Sequence, residues 1–118
     1  MNKMELLIEN GVDVEKGIEL LGDVDTYNEM LDDFLLESDE KLVQINHFQQ
    51  QRDMINYAIL AHSLKSDAKY FGFTNLADIA YQHELESKSG NIEFINQKIS
   101  DLNIEAKKII DLIKKYRG

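Results

Sequence analysis

The chain has 118 residues, a formal net charge of −9 and 43% hydrophobic residues, enough apolar side chains for one domain core and too many for a disordered chain. An acidic surface repels the phosphate backbone of nucleic acids and lacks the basic cluster of a membrane-surface anchor, so neither is an expected partner. There is no cysteine, which removes disulfide and thiol chemistry and suits a cytoplasmic protein.

The opening run, Met1 to Glu9, interrupts its apolar stretch with Glu5 and makes a poor signal peptide. No apolar run approaches the roughly 20 residues needed to span a bilayer. Without proline and with six glycines, the chain favours long helices joined by short turns over a many-stranded sheet. A first, short helix is predicted from about Val14 to Leu21, closed by Gly22. A second begins at an Asp23 or Asp25 cap and runs to about His47 or beyond. Its apolar positions are Tyr27, Met30, Leu31, Phe34, Leu35, Leu42 and Ile45. Asp53 caps a third helix, whose Tyr57, Leu60, Ala61, Leu64, Ala68 and Phe71 fall on one stripe, with Gly72 as a left-handed stop. Thr74 is the expected cap of a fourth helix that turns Leu76, Ile79, Ala80 and His83 inward. After the turn Ser89-Gly90-Asn91 a fifth helix runs from about Ile92 to Tyr116, with Ile95, Ile99, Leu102, Ala106, Ile109, Ile110 and Ile113 inward. Lys114, Lys115 and Arg117 complement the dipole at its end. The expected fold is all-α: an antiparallel up-down-up-down four-helix bundle with a short additional N-terminal helix, forming a single domain over residues 1–118.

The third helix carries the most informative pattern. With Leu64 at the centre of its buried face and about 100° per residue, His62 lies roughly 160° away, Lys65 at about 100° and Lys69 at about 140° on the same side. His62, Lys65, Ser66 and Lys69 thus form one polar strip, which Ile55 and Ile59 extend toward the N-terminus. Two isoleucines on an outer face predict a helix contact or a docking patch for a partner. A solvent-facing imidazole is nucleophilic at neutral pH, and nearby ammonium groups stabilise a phosphoryl group and the charge that develops during its transfer. Lys65 can follow such a group on its flexible stem. Ser66 is small enough to leave room for another protein's active site. A histidine and two lysines are also ordinary on a solvated helix face, so periodicity alone does not assign the function.

The run His62-Ser63-Leu64-Lys65-Ser66, followed by Ala68, Gly72 and Leu76, resembles the signature of histidine-containing phosphotransfer (HPt) domains. Phe71-Gly72-Phe73-Thr74 is similar to the same stretch in the phosphotransfer domain of the chemotaxis kinase. Gly17-Ile18-Glu19-Leu20-Leu21 and Tyr27 to Phe34 resemble the family's first two helices. The resemblance covers about residues 13 to 90 directly, and the last helix fits by length and pattern. It implies a bundle in which His62 accepts a phosphoryl group from a receiver-domain aspartate and passes it to another receiver. Lys65 then neutralises the phosphoryl group and Gly72 is structural. The implied partners are response-regulator receiver domains and a hybrid sensor histidine kinase. The chain is expected to be a monomer without a cofactor, and with no Gly-rich phosphate loop and too little chain for a nucleotide domain it is expected to have no nucleotide site of its own. Ser66 departs from the family's commonest residue there, glycine. Ungapped counting places Glu84 where some members hold a carboxylate or amide against the histidine's inner nitrogen, and a solvated flank residue is the equal alternative. His83, on the apolar stripe, is expected to be hydrogen-bonded and partly buried, and His47 to lie on the surface.

Two other readings compete. A di-iron bundle needs Glu-x-x-His pairs, and no histidine here follows a glutamate by three residues. His83-Glu84 starts a zinc-protease-like string, but Ser87 replaces its second histidine, so no metal is expected. A helical module that docks receivers or kinases without phosphoryl chemistry would use Ile55 and Ile59 equally well, but would have no reason to keep His62 and Lys65 together.

Overall fold

The computed structural model describes residues 3–118. Met1 and Asn2, the start of the segment read above as a poor signal peptide, lie outside the described residues. Among the described residues the secondary structure is helical, in six elements: α1 (Lys3–Glu9), α2 (Val14–Leu21), α3 (Val24–Gln50), α4 (Met54–Phe71), α5 (Thr74–Lys88) and α6 (Ile92–Arg117). The sequence pattern anticipates five of them. It misses α1, whose seven residues are too few for a helical period to stand out and which buries only Leu7 fully.

Short polar side chains start the helices. Asp13, Asp23, Asp53 and Asn91 each accept a backbone N–H three residues on, at 2.8–3.2 Å, satisfying donors that the first turn leaves unpaired. Thr74 is not the cap of α5. It is the first helical residue, and the cap position is Phe73, whose side chain makes no capping bond. Burial decides that boundary: Phe73 is 1% exposed and meets the rings of Phe34 and Phe71 in the core.

Packing closes a ring of contacts: α3 on α4, α4 on α5, α5 on α6 and α6 on α3. The core between them includes Tyr27, Leu31, Ile45, Tyr57, Leu64, Leu76, Ile95, Leu102 and Ile113, all fully or almost fully buried. Met30, one of the apolar positions of this helical period, is exposed. The buried row of α3 runs Tyr27, Leu31, Phe34, Ser38, Leu42, Ile45, a mix of four- and three-residue steps in which a serine occupies a core position. Ser38 satisfies its hydroxyl on the Leu35 carbonyl at 3.2 Å, the usual solution for a buried hydroxyl.

The helix α2 packs on α3 and α4, and α1 on α6 and α2. Two glycines allow the close approach of α2 to the end of α4. A side chain at Gly17 would meet Tyr27 Cε2 at 2.6 Å and the Phe71 carbonyl oxygen at 3.0 Å. That same carbonyl accepts the buried Tyr27 hydroxyl at 2.7 Å. Gly72 closes α4 with φ 81°, and its carbonyl accepts the Asp13 N–H at 2.8 Å. Any Cβ there would collide with the Asp13 backbone. Gly72→Ala is therefore expected to destabilise the fold by about 2 kcal/mol or more, from left-handed strain plus the collision. A urea titration followed by circular dichroism checks this.

Candidate phosphoryl-transfer site

The site lies across α4 and α5, the pair that packs most extensively. His62 leaves α4 on its outer face, and its side chain is 57% exposed. Its Nδ1 is 2.8 Å from Oε2 of Glu84 on α5. Glu84 is a buried carboxylate, only 3% exposed, so the alternative of a solvated flank residue does not hold. Its other oxygen, Oε1, lies 2.7 Å from Lys65 Nζ. That contact is an ion pair without hydrogen-bond alignment. Lys88, one turn beyond Glu84 on α5, donates to Oε2 at 2.8 Å.

This arrangement fixes the protonation states. Burial pushes the Glu84 carboxyl pKa up, but Lys65, Lys88 and His62 together outweigh it and bring the value down to about 2. Glu84 is thus a carboxylate at neutral pH and can only accept, so Nδ1 of His62 carries the proton. The remaining lone pair is on Nε2. One buried charge positions the imidazole, sets its tautomer and leaves a nucleophilic nitrogen free.

The two lysines are held differently. Lys65 is 13% exposed, with its ammonium 5.0 Å from the centre of the Tyr81 ring, a cation–π contact that adds to the ion pair. It does not swing free beside His62 as the helical wheel suggests. Lys88 is 60% exposed. The sequence reading passed it over, although its spacing from Glu84 is the favourable i,i+4 order of acid before base.

Beside His62 opens a groove of about 510 Å³, lined by Met54, Ile55, Ala58, Ile59, His62, Glu84, Ser87 and Lys88. Ile55 and Ile59 stand well out of the surface, so the structure brings both isoleucines, His62 and Glu84 to one concavity. Ser66 is half-buried one turn further along α4. Lys69 is not brought into the groove: it lines a separate cavity with Asp13, Lys16 and Asp78 at the far end of α4. On the α3 side, Lys41 Nζ reaches Ser63 Oγ at 2.8 Å and Asp67 Oδ2 at 2.9 Å.

The other histidines have different roles. His83 is 1% exposed, deeper than expected. Burial lowers its pKa, partly offset by a hydrogen bond to the Lys98 backbone and by Asp101. The neutral ring then takes the Tyr57 hydroxyl on Nδ1 at 2.8 Å. His47 is exposed. Among the described residues, no group of three or more His, Cys, Asp or Glu side chains is placed to hold a metal ion, and no helix is long and apolar enough to cross a membrane.

Residues 29–114 match the family model of the Hpt domain. The chain belongs to the Hpt domain family. The match begins inside α3 and extends into α6 as far as residue 114, a helix that the sequence resemblance covers only by pattern. Hpt domains are phosphotransfer intermediates, and membership implies histidine phosphotransfer in two-component signalling. No curated protein and no solved structure matches the chain.

Glu84 gives this Hpt domain a pH signature. Its pKa falls from an ordinary 4.5 to about 2 on folding. A depressed carboxylate contributes stability that is fully present above the unfolded pKa and is lost as pH falls through the folded one. Stability is therefore expected to drop between about pH 4.5 and 2 through this group. Glu84→Gln should be less stable than wild type at pH 7, with the gap narrowing as pH falls, as urea unfolding at pH 7, 4 and 3 measures.

Proposed function

We propose that His62 is the phosphoacceptor of a multistep relay, taking a phosphoryl group from a receiver-domain aspartate and delivering it to another. The observation that carries this reading is the 2.8 Å bond between exposed His62 and buried Glu84. Nε2 attacks phosphorus, the N–P bond forms and the P–O bond to the donor aspartate breaks, its oxygen leaving with the electron pair. The proton stays on Nδ1, shared with Glu84, so the carboxylate balances the positive imidazolium as it forms. Lys65 keeps Glu84 ionised and adds positive potential near the incoming charge. Lys69, in its separate cavity, takes no step. The same geometry serves the reverse transfer, so phosphoryl flow follows the state of the partners.

The groove supports receiver docking. Ile55 and Ile59 offer apolar contact next to the reacting nitrogen, and half-buried Ser66 leaves that flank low. A pure docking module would use the groove equally well but gains nothing from a buried carboxylate held on the Nδ1 of an exposed histidine, a charge that has to be matched by partners to be buried at all. In this reading the chain is one cytoplasmic domain, a monomer built on an antiparallel up-down-up-down bundle of α3 to α6. Its partners are receiver domains and a hybrid sensor kinase, which supply the nucleotide chemistry.

Incubation with a phosphorylated receiver domain, followed by mass spectrometry under non-acidic conditions, is expected to find an acid-labile phosphate on His62 and none on His62→Gln. Label persisting in that variant would overturn the assignment. Lys65→Ala should fold but transfer on the order of tenfold more slowly or worse, the scale of losing one preorganised charge. Stopped-flow or quench-flow transfer kinetics give the rate.

A further inference from the structure

Two lysines share Glu84, but only one is free to leave it. Lys65 is enclosed, 13% exposed, on Oε1 and against the Tyr81 ring. Lys88 sits on Oε2, the oxygen that also holds His62 Nδ1. Its side chain is 60% exposed and lines the groove that His62 opens into. With a neutral imidazole, two lysines and one carboxylate leave the cluster with one net positive charge. Phosphorylation adds up to about two negative charges on the phosphoryl oxygens and one positive charge on the ring. The cluster as a whole becomes neutral, but its negative charge is concentrated on the exposed phosphoryl oxygens, where a nearby cation is stabilising. An ammonium on a flexible four-carbon stem at a helix end supplies that cation with little reorganisation.

From this we infer that Lys88 is the mobile phosphoryl-binding cation of the site. When His62 is phosphorylated, the Lys88 ammonium turns from Glu84 Oε2 to the phosphoryl oxygens, and Lys65 stays behind to hold the carboxylate. Oε2 keeps the Nδ1 proton of His62, now an imidazolium, so the carboxylate loses one cationic partner as the other becomes charged. Lys88 therefore stabilises phosphorylated His62 and helps set how far transfer proceeds. The inference rests on His62 being the acceptor.

A small donor removes the need for a partner. Phosphoramidate transfers its phosphoryl group to Nε2, with the N–P bond to His62 forming as the donor's P–N bond breaks and ammonia leaves. Wild type, Lys88→Gln and Lys88→Arg are treated in parallel, and labelled His62 is titrated by 31P NMR. A nearby ammonium favours the doubly ionised phosphoryl group. In Lys88→Gln that group is expected to titrate about half a pH unit or more higher than in wild type, with Lys88→Arg restoring the wild-type curve. A change in helix packing alone would not follow charge in this way. Labelled His62 with the same titration in wild type and Lys88→Gln overturns the inference and leaves the acceptor assignment standing. Absence of label on wild-type His62 overturns both.

Discussion

Glu84 is the group on which the site depends. A carboxylate taken almost wholly out of water costs several kcal/mol unless it is matched by charge and hydrogen bonds. Here the match comes from two helices: Lys65 and His62 from α4, and Lys88 from Glu84's own α5. The charge can be buried because Lys65, Lys88 and His62 all face it. Site formation and helix packing are thus one event. The tautomer of His62, the confinement of Lys65 and the seam between α4 and α5 all follow from where this one charge is held.

The fold was largely legible because its helices obey simple rules. Five of the six are marked by aspartate or asparagine caps, by glycine stops or by apolar stripes at three- and four-residue spacing. Where reading and structure part, long-range packing has overruled a local signal. Phe73 occupies a cap position that Thr74 would fill by propensity, because the aromatic cluster with Phe34 and Phe71 needs its ring. Met30 fits the period of α3 yet is exposed while its neighbour Leu31 is buried, and Ser38 goes inward, because the buried row Tyr27, Leu31, Phe34, Ser38, Leu42, Ile45 alternates four- and three-residue steps. The turn between α3 and α4 places Arg52 at φ 55°, a conformation that no glycine announces.

The site was legible in part. A helical wheel places His62 outward and Ile55 and Ile59 beside it, because those relations lie within one helix. Relations between helices are invisible to it. Lys65 and Lys69 look alike on the wheel, yet one is folded onto Glu84 and the other belongs to a different cavity. Glu84 could be located only by family resemblance, and Lys88 carried no signal beyond its spacing from an acid not yet known to matter. His83 and Glu84 are neighbours in sequence with opposite characters, a neutral imidazole in the core and a charge at its edge. Their difference is set by which partners the packed helices present.

The contact between Lys41 and α4 bears on this geometry from the other side. Lys41 on α3 grips Ser63 and Asp67, and Glu84 on α5 grips His62 and Lys65, so α4 is held at two flanks around its own axis. A helix with side chains has a radius of roughly 5–6 Å, so a roll of about 20° would carry the imidazole about 2 Å sideways. That is more than a hydrogen bond tolerates. The opposed grips turn α4 into a keyed shaft, and the exposed imidazole of His62 is presented at one fixed azimuth.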